Sequence, residues 1–170
     1  MSCSLDLSGI LPGQLGLIVL GSGGVPVAAS SFSIEAALIE YLQDNEAVSC
    51  LVGNRFYPLA VSRSNTTWPV VVYRVSIDHE QGISGSLGVA TAAVELDVWS
   101  NTYSDLAYVS EAIRRAMQGF RGWWGGIGVM SVWIDGQSDN DERPQDGSGG
   151  WWFSRELDYS VMFSESVPKF

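Results

Sequence analysis

The single histidine of the chain, His79, stands between two carboxylates, Asp78 and Glu80. A histidine beside a carboxylate is a common component of acid–base catalysis. The surrounding alternation predicts the end of a β-strand, however, and adjacent residues of a strand point to opposite faces. The three side chains therefore form no relay by adjacency, and a polar cluster at a strand end is the favoured interpretation. One histidine is also too few for the two- and three-histidine metal sites common in hydrolases.

A second set of carboxylates lies in the segment GQSDNDERPQDGSGG, at Asp139, Asp141, Glu142 and Asp146. Their alternation is compatible with Ca²⁺, but the twelve-residue spacing and the closing glutamate of an EF-hand are missing. We therefore interpret residues 139–149 as a solvated acidic loop that joins two strands.

Two glycine clusters, at residues 82–88 and 122–128, are candidates for a phosphate-binding loop. Neither matches GxGxxG after a strand or the P-loop pattern, and the only lysine of the chain is Lys169. The sequence thus predicts no catalytic residue, no cofactor and no metal. A small metal-independent enzyme, assembled from residues distant in sequence, stays open as an alternative.

Charge and composition exclude several classes of protein. The chain has 170 residues, and its hydrophobic content of 46% predicts a folded domain rather than a disordered chain. Its 19 acidic and 9 basic residues give a net charge of -10, which argues against clamping of nucleic acid because that requires Lys and Arg against phosphates. Cys3 and Cys50 lack CxxC spacing, so we expect free thiols in an intracellular protein.

The first 32 residues are apolar but rich in Gly and Ser. No basic residue precedes Arg55, so the positive region of a signal peptide is missing. The run LGLIVL is far shorter than the roughly 20 residues of a membrane span. We predict an extended N-terminal arm, residues 1–32, which adds a strand or packs on a neighbour; a poorly ordered tail is an equally favoured alternative. The candidate interface residues of the arm are Leu15, Leu17, Ile18, Val19 and Leu20.

Two helices are predicted by apolar residues at helical spacing. The first begins after Ser33, weakens around residues 44–46, resumes briefly at 47–51 and stops at Gly53. The second follows DVWSNTYSDL, in which Thr102 and Asp105 resemble a capping box. The polar cluster at 100–105 is therefore interpreted as a helix cap and not as a catalytic loop.

Four strands are predicted in PVVVYRVSID, AAVELDVWS, GVMSVWID and WWFSRELDYSVMF. All except GVMSVWID alternate between apolar and polar residues; Arg155 interrupts the apolar face of the last one. GVMSVWID is apolar on both faces, so we expect a more central strand or one that lies under a neighbouring subunit. The order of elements indicates an α+β fold: a mixed or antiparallel sheet of four to five strands, with two helices on one face, over residues 33–170.

Adjacent tryptophans occur twice, at 123–124 and at 151–152. Neighbours in an extended segment point to opposite faces, so one member of each pair is expected in the core and the other at a rim or interface. The candidate interface tryptophans are Trp124, Trp133 and Trp152.

The segments GNRFYP, PVVVYRVS, VELDVWSNTYSDLAYVSEAIRRAM and LDYSVMFSE together resemble the tail-completion or tail-terminator family of long-tailed, siphovirus-like bacteriophages. The resemblance covers Ser33–Glu165. It implies a small subunit of a ring, usually a hexamer, that closes the tail tube and presents a docking face to the head connector. The arm and the acidic loop depart from the family, and the family supplies no catalytic residues.

The partners that this resemblance implies are other copies of the chain, the tail tube protein and the head-connector or neck protein. Genomic DNA would pass through the channel without specific binding, and no membrane is involved. The protein would be a component of the virion tail or neck that is assembled in the host cytoplasm. Another neck component, such as a head-completion or adaptor protein, is the alternative. A charge of -10 suits a channel that does not retain DNA, although acidity for solubility is an equally favoured reason.

Overall fold

The computed structural model describes residues 33–61, 66–83, 85–142 and 150–166. The predicted arm and part of the predicted acidic loop lie outside these residues. The described chain is an α+β protein with three helices and a six-stranded sheet. The elements in chain order are α1 (Ile34–Asp44), α2 (Glu46–Val52), β1 (Phe56–Pro58), β2 (Val70–Gly82), β3 (Gly85–Ser100), α3 (Tyr103–Met117), β4 (Gly122–Trp124), β5 (Ile127–Glu142) and β6 (Trp152–Ser164).

The first predicted helix is two helices, which corrects the expected number from two to three. The Ser33 hydroxyl caps α1 by accepting the N–H of Ala36 at 3.2 Å. Asn45 then adopts an extended backbone conformation, and its side-chain oxygen accepts the N–H of Val48 at 3.3 Å to begin α2. A polar side chain that bonds to the local backbone competes with a continuous helix, which explains the break.

The predicted cap of α3 is confirmed. Thr102 has an extended backbone conformation and its hydroxyl accepts the N–H of Asp105 at 3.2 Å. The same hydroxyl donates to the Asp105 carboxylate at 2.6 Å, and the Thr102 N–H donates to Ser100 Oγ. The arrangement differs from the usual capping box, in which the acidic side chain accepts the N–H of the cap residue itself.

The strands form one sheet in the order β1-β2-β3-β6-β5-β4. All neighbours are antiparallel except β1, which runs parallel to β2. The prediction of four to five strands missed β1 and β4, because three residues are too few to show alternation. The hairpin strand β5 extends to Glu142, so Asp139, Asp141 and Glu142 belong to a strand and not to a loop.

One face of the sheet packs against the three helices and forms the core. Helix α3 lies over β3, β5 and β6, and α1 packs against β4 and α2. The alternation predicted in β3 and β6 is confirmed, because the core takes every second residue of both strands. None of the helices among the described residues is long and apolar enough to span a membrane. The core residues of β3 and β6 are Ala90, Ala92, Val94, Leu96, Val98, Leu157, Tyr159, Val161 and Phe163.

Strand β5 lies next to the edge of the sheet, so the expectation of a central position is wrong. Its register shifts between Val129 and Ser131 and again between Ile134 and Gly136. A bulge adds one residue to a strand and resets which side chains face inward. Val129 and Val132 are therefore both buried, while Met130 and Trp133 are 42% and 40% exposed on the outside.

Candidate subunit and partner interfaces

The sheet face opposite the helices carries a group of carboxylates, here called the acidic face. Cross-strand register places Glu95 beside Asp158 and Asp97 beside Glu156. Side chains directly opposite each other on antiparallel strands are close enough to interact. On the β2 side, Arg74 donates to Glu95 at 3.1 Å. The acidic face consists of Glu95, Asp97, Asp135, Glu156 and Asp158.

Burial and neighbouring carboxylates raise the pKa values of two residues of the acidic face. Partial burial, followed by the charge of Glu156, raises the pKa of Asp97 above its usual value. Burial and the charges of Glu156, Glu95 and Asp135 raise the pKa of Asp158 in the same way. Asp97 and Asp158 therefore make the folded chain less stable when they are ionised.

Arg155, which interrupts the apolar face of β6, is held by Asp139 of β5. The Arg155 guanidinium donates to both Asp139 oxygens, at 2.5 and 2.6 Å, and lowers the pKa of that carboxyl. Arg155 also donates to the Tyr103 hydroxyl at 3.1 Å, at the start of α3. Only 12% of the Arg155 side chain is exposed. A bidentate pair at this position fixes the β5–β6 hairpin to the first turn of α3.

The tryptophan pair at 123–124 divides between core and surface, and the interface assignment of Trp124 has to be corrected. In the pair at 151–152, Trp151 is exposed and Trp152 is only partly buried. Trp124 is 1% exposed and stacks on Tyr41 and Phe120, with ring centroids 5.2 and 5.5 Å away. Its neighbour Trp123 is 72% exposed and takes its place as the interface candidate. The register of the β4–β5 turn, which aims Trp124 at α1, is not apparent from the sequence.

The other interface tryptophans lie at the surface. Trp133 is exposed on β5, and Trp152 is partly buried with its ring edge against Trp68, 4.3 Å between centroids. The arm candidates Leu15, Leu17, Ile18, Val19 and Leu20 lie outside the described residues. Their role in an interface stays a prediction.

Both lateral edges of the sheet are largely unpaired among the described residues. Strand β1 pairs with β2 over Val71–Tyr73, which leaves the outer side of residues 74–81 without a strand. Strand β4 pairs with β5 over Ile127–Val129, so the outer side of residues 130–141 of β5 also has no neighbouring strand. Each open edge presents backbone donors and acceptors to another chain. Neither edge was recognised from the sequence, because edge position depends on strand order.

His79 has a carboxylate partner from a different part of the chain. Its Nδ1 lies 3.0 Å from the carboxylate of Glu165, at the end of β6, and the sequence neighbours Asp78 and Glu80 are exposed. The polar cluster at the end of β2 therefore includes Glu165, which lies 86 positions after His79 in the sequence. Within the described part of the chain, no group of three or more His, Cys, Asp or Glu side chains is arranged to hold a metal ion.

Comparison with known proteins identifies the class. Residues 36–148, more than half of the chain, match the family described as Tail completion protein gp17. A chain from the virion of a native gene transfer agent (GTA) particle has a similar fold, with a TM-score of 0.59 at 14% identity. The similarity covers 83% of this chain and 99% of that one. No curated protein matches the sequence.

The fold and the match place this chain among the structural proteins of bacteriophage tails. Within that class, it belongs to the Tail completion protein gp17 family. The resemblance predicted from the four sequence segments is thereby confirmed.

Proposed function

We propose that this protein assembles into a ring that caps the tail tube and joins the tail to the head connector. The observation that carries the proposal is the pair of open sheet edges, on β2 and on β5. Two different surfaces on opposite sides of one subunit favour head-to-tail association, and such contacts close into a ring when the rotation permits. A hexamer is the stoichiometry that the resemblance to tail-terminator proteins implies.

Apolar side chains beside the β5 edge support the same contact. Met130 and Trp133 are exposed on β5, and Trp123 extends the apolar surface onto β4. Large apolar side chains of this kind are enriched at interfaces. In a ring they would be covered by the β2 edge of the next copy.

The acidic face is the surface best suited to the channel. Carboxylates repel the phosphates of DNA, so a wall that carries them lets genomic DNA slide without binding. In this arrangement the helices face outward, and the ends of the subunit contact the tail tube protein and the head connector. The protein acts as a virion component without catalysis, and assembly takes place in the host cytoplasm.

Native mass spectrometry tests the ring directly. We expect a closed assembly of one stoichiometry, and a lysine at position 133 (Trp133→Lys) should weaken it. Leu51→Lys is a suitable control, because Leu51 is similarly exposed on α2, away from both edges. A strictly monomeric protein at tens of micromolar, with and without tail tubes, would contradict the proposal.

The choice of partner is tested separately. Purified protein is mixed with tailless heads and with free tails, and the particles are then separated by sedimentation. A protein that caps the tube binds tails in the absence of heads. Binding to heads alone would indicate a head-completion or adaptor protein instead.

A further inference from the structure

A groove of about 640 Å³ crosses the helix side of the sheet at the end where α1 begins. Ile34 and Phe163 form its floor, with only 3% and 6% of their surface exposed. Ile77 of β2 lines one wall and is 39% exposed, and Ile127 of β5 lies toward the other. The ion pair of His79 with Glu165 lies at its edge. The groove thus has an apolar floor and a polar rim, to which Ser33, Ser164 and Ser166 also contribute.

The groove lies where helix α1 begins. Ser33 and Ile34 line it, together with Phe163, Ser164 and Glu165 at the end of β6. Ala90 and Ala92 of β3 are fully buried and belong to the core rather than to the lining of the groove.

We propose that this groove binds the apolar segment LGLIVL, residues 15–20, from the N-terminal arm of a neighbouring copy. In an extended segment Leu15, Leu17 and Val19 share one face. That face matches the apolar floor of the groove, which Ile34 and Phe163 form. The proposal rests on the self-association described above, because it requires a second copy.

The connecting segment is long enough to reach a neighbouring copy as well as the groove of its own chain. Residues 21–32 join LGLIVL to Ser33, and Ser33 itself lines the groove. Twelve residues extend to roughly 40 Å. A return to the groove of the same subunit needs only a small part of this reach of roughly 40 Å. A folded domain of this size is roughly 35 Å across, which is less than the full reach. The segment is therefore long enough to span one subunit and enter the groove of the next.

Disulfide trapping tests the proposal with full-length protein. Cys3 and Cys50 are replaced by Ser; one preparation then carries Leu17→Cys and a second, of different mass through a tag, carries Ile77→Cys. After mixing and mild oxidation, we expect a covalent heterodimer. The control replaces Ile77→Cys by Ile83→Cys, an equally mild change at a fully exposed hairpin tip. Heterodimer should form at least about tenfold faster at position 77, because binding raises the effective concentration of the thiols.

A chain that carries both Leu17→Cys and Ile77→Cys separates the remaining outcomes. Bonds between chains support exchange of arms, and a bond within the chain assigns the groove to its own arm and overturns the proposal. No excess over the control in either format also overturns it. If native mass spectrometry shows rings but no cross-links form, only the groove assignment is refuted. If covalent heterodimers form but no rings are found, the ring is refuted and the contact between arm and groove remains.

Discussion

The polar residues between β3 and α3 form a compact set of hydrogen bonds around Thr102. Its hydroxyl both accepts the N–H of Asp105 and donates to the carboxylate, while its own N–H is satisfied by Ser100. These contacts explain why the segment is polar, and no catalytic role is needed to account for its residues. Local pattern was sufficient to predict this cap, because its partners lie within five residues of each other.

Thr102→Ala should lower the free energy of unfolding by about 1 kcal/mol, because the orphaned N–H of the first helical turn loses its acceptor. The melting temperature should fall by about 2–4 °C. Ser104→Ala is the matched control, since it removes an exposed hydroxyl from the same turn. Differential scanning calorimetry measures both. Equal melting temperatures for the two variants would show that Thr102 does not act as the cap.

Charged residues with distant partners were not predictable in the same way. Arg155 interrupts an apolar strand face, and its partner Asp139 was assigned to a loop; only the β5–β6 register brings the two together. Alternation likewise predicts that one tryptophan of each adjacent pair is buried, but not which one. The missing information in both cases is the register between strands.

Asp158→Asn should stabilise the protein at pH 7. The pKa of Asp158 is raised in the folded state, so its ionised form destabilises the fold, and the penalty disappears as pH falls through that pKa. We expect a melting temperature about 1–3 °C higher at pH 7. The difference from the unmodified protein should shrink toward pH 4, near the ordinary value for Asp.

Asp139→Asn provides the opposite case. The pKa of Asp139 is lowered by Arg155, so this carboxylate stabilises the fold at pH values above its unfolded pKa, and that contribution is lost only as pH falls through the folded value. Its replacement should lower the melting temperature at pH 7 and still do so near pH 4. Parallel pH profiles for the two variants would contradict the assignment of both shifts.

At the scale of elements, the long strands were predictable and the short ones were not. Strands β2, β3 and β6 have 13 to 16 residues, long enough for their alternation to be read. Strands β1 and β4 have three each and exist because longer neighbours hold them. In β5 the bulges disturb the period, so its two apolar sides suggested a central strand although it lies near the edge.

Deletion of residues 1–31 should leave the α+β domain folded and weaken assembly. The helices and strands of the described residues begin at Ile34 and pack against one another, which supports this expectation. Circular dichroism and thermal melting report the fold, and sedimentation with tail tubes reports attachment.

Two outcomes would contradict this expectation. A truncated chain that fails to fold would make the arm a core element and move the domain boundary from Phe32. A truncated chain that attaches as well as the full chain would make the arm dispensable.

For the whole molecule, the sheet separates two surfaces of different composition. The helix side holds the core, and the opposite side holds the acidic face, where burial and neighbouring carboxylates raise the pKa values of Asp97 and Asp158. Net charge could be read from composition, but the grouping of these carboxylates on one face follows from the register between strands. Arg74 pairs with Glu95, and the other carboxylates of the face support the proposed role as a channel wall that repels DNA.

The last prediction concerns DNA. Glu156→Lys with Asp158→Lys should convert the acidic face into a surface that retains duplex DNA, because each lysine gained against phosphate adds a salt-sensitive contact. Fluorescence anisotropy with a short labelled duplex measures binding at two salt concentrations. The unmodified ring should show no binding at either.

Asp44→Lys with Glu46→Lys is the matched control, since it reverses two exposed charges at the junction of α1 and α2, on the helix side of the sheet. If the acidic face lines the channel of a closed ring, the face variant binds a duplex that enters the ring but not one blocked at both ends by bulky groups. Equal binding by the face variant and the control would show that only net charge matters. Equal binding of open and blocked duplexes would place the acidic face on the outside of the assembly.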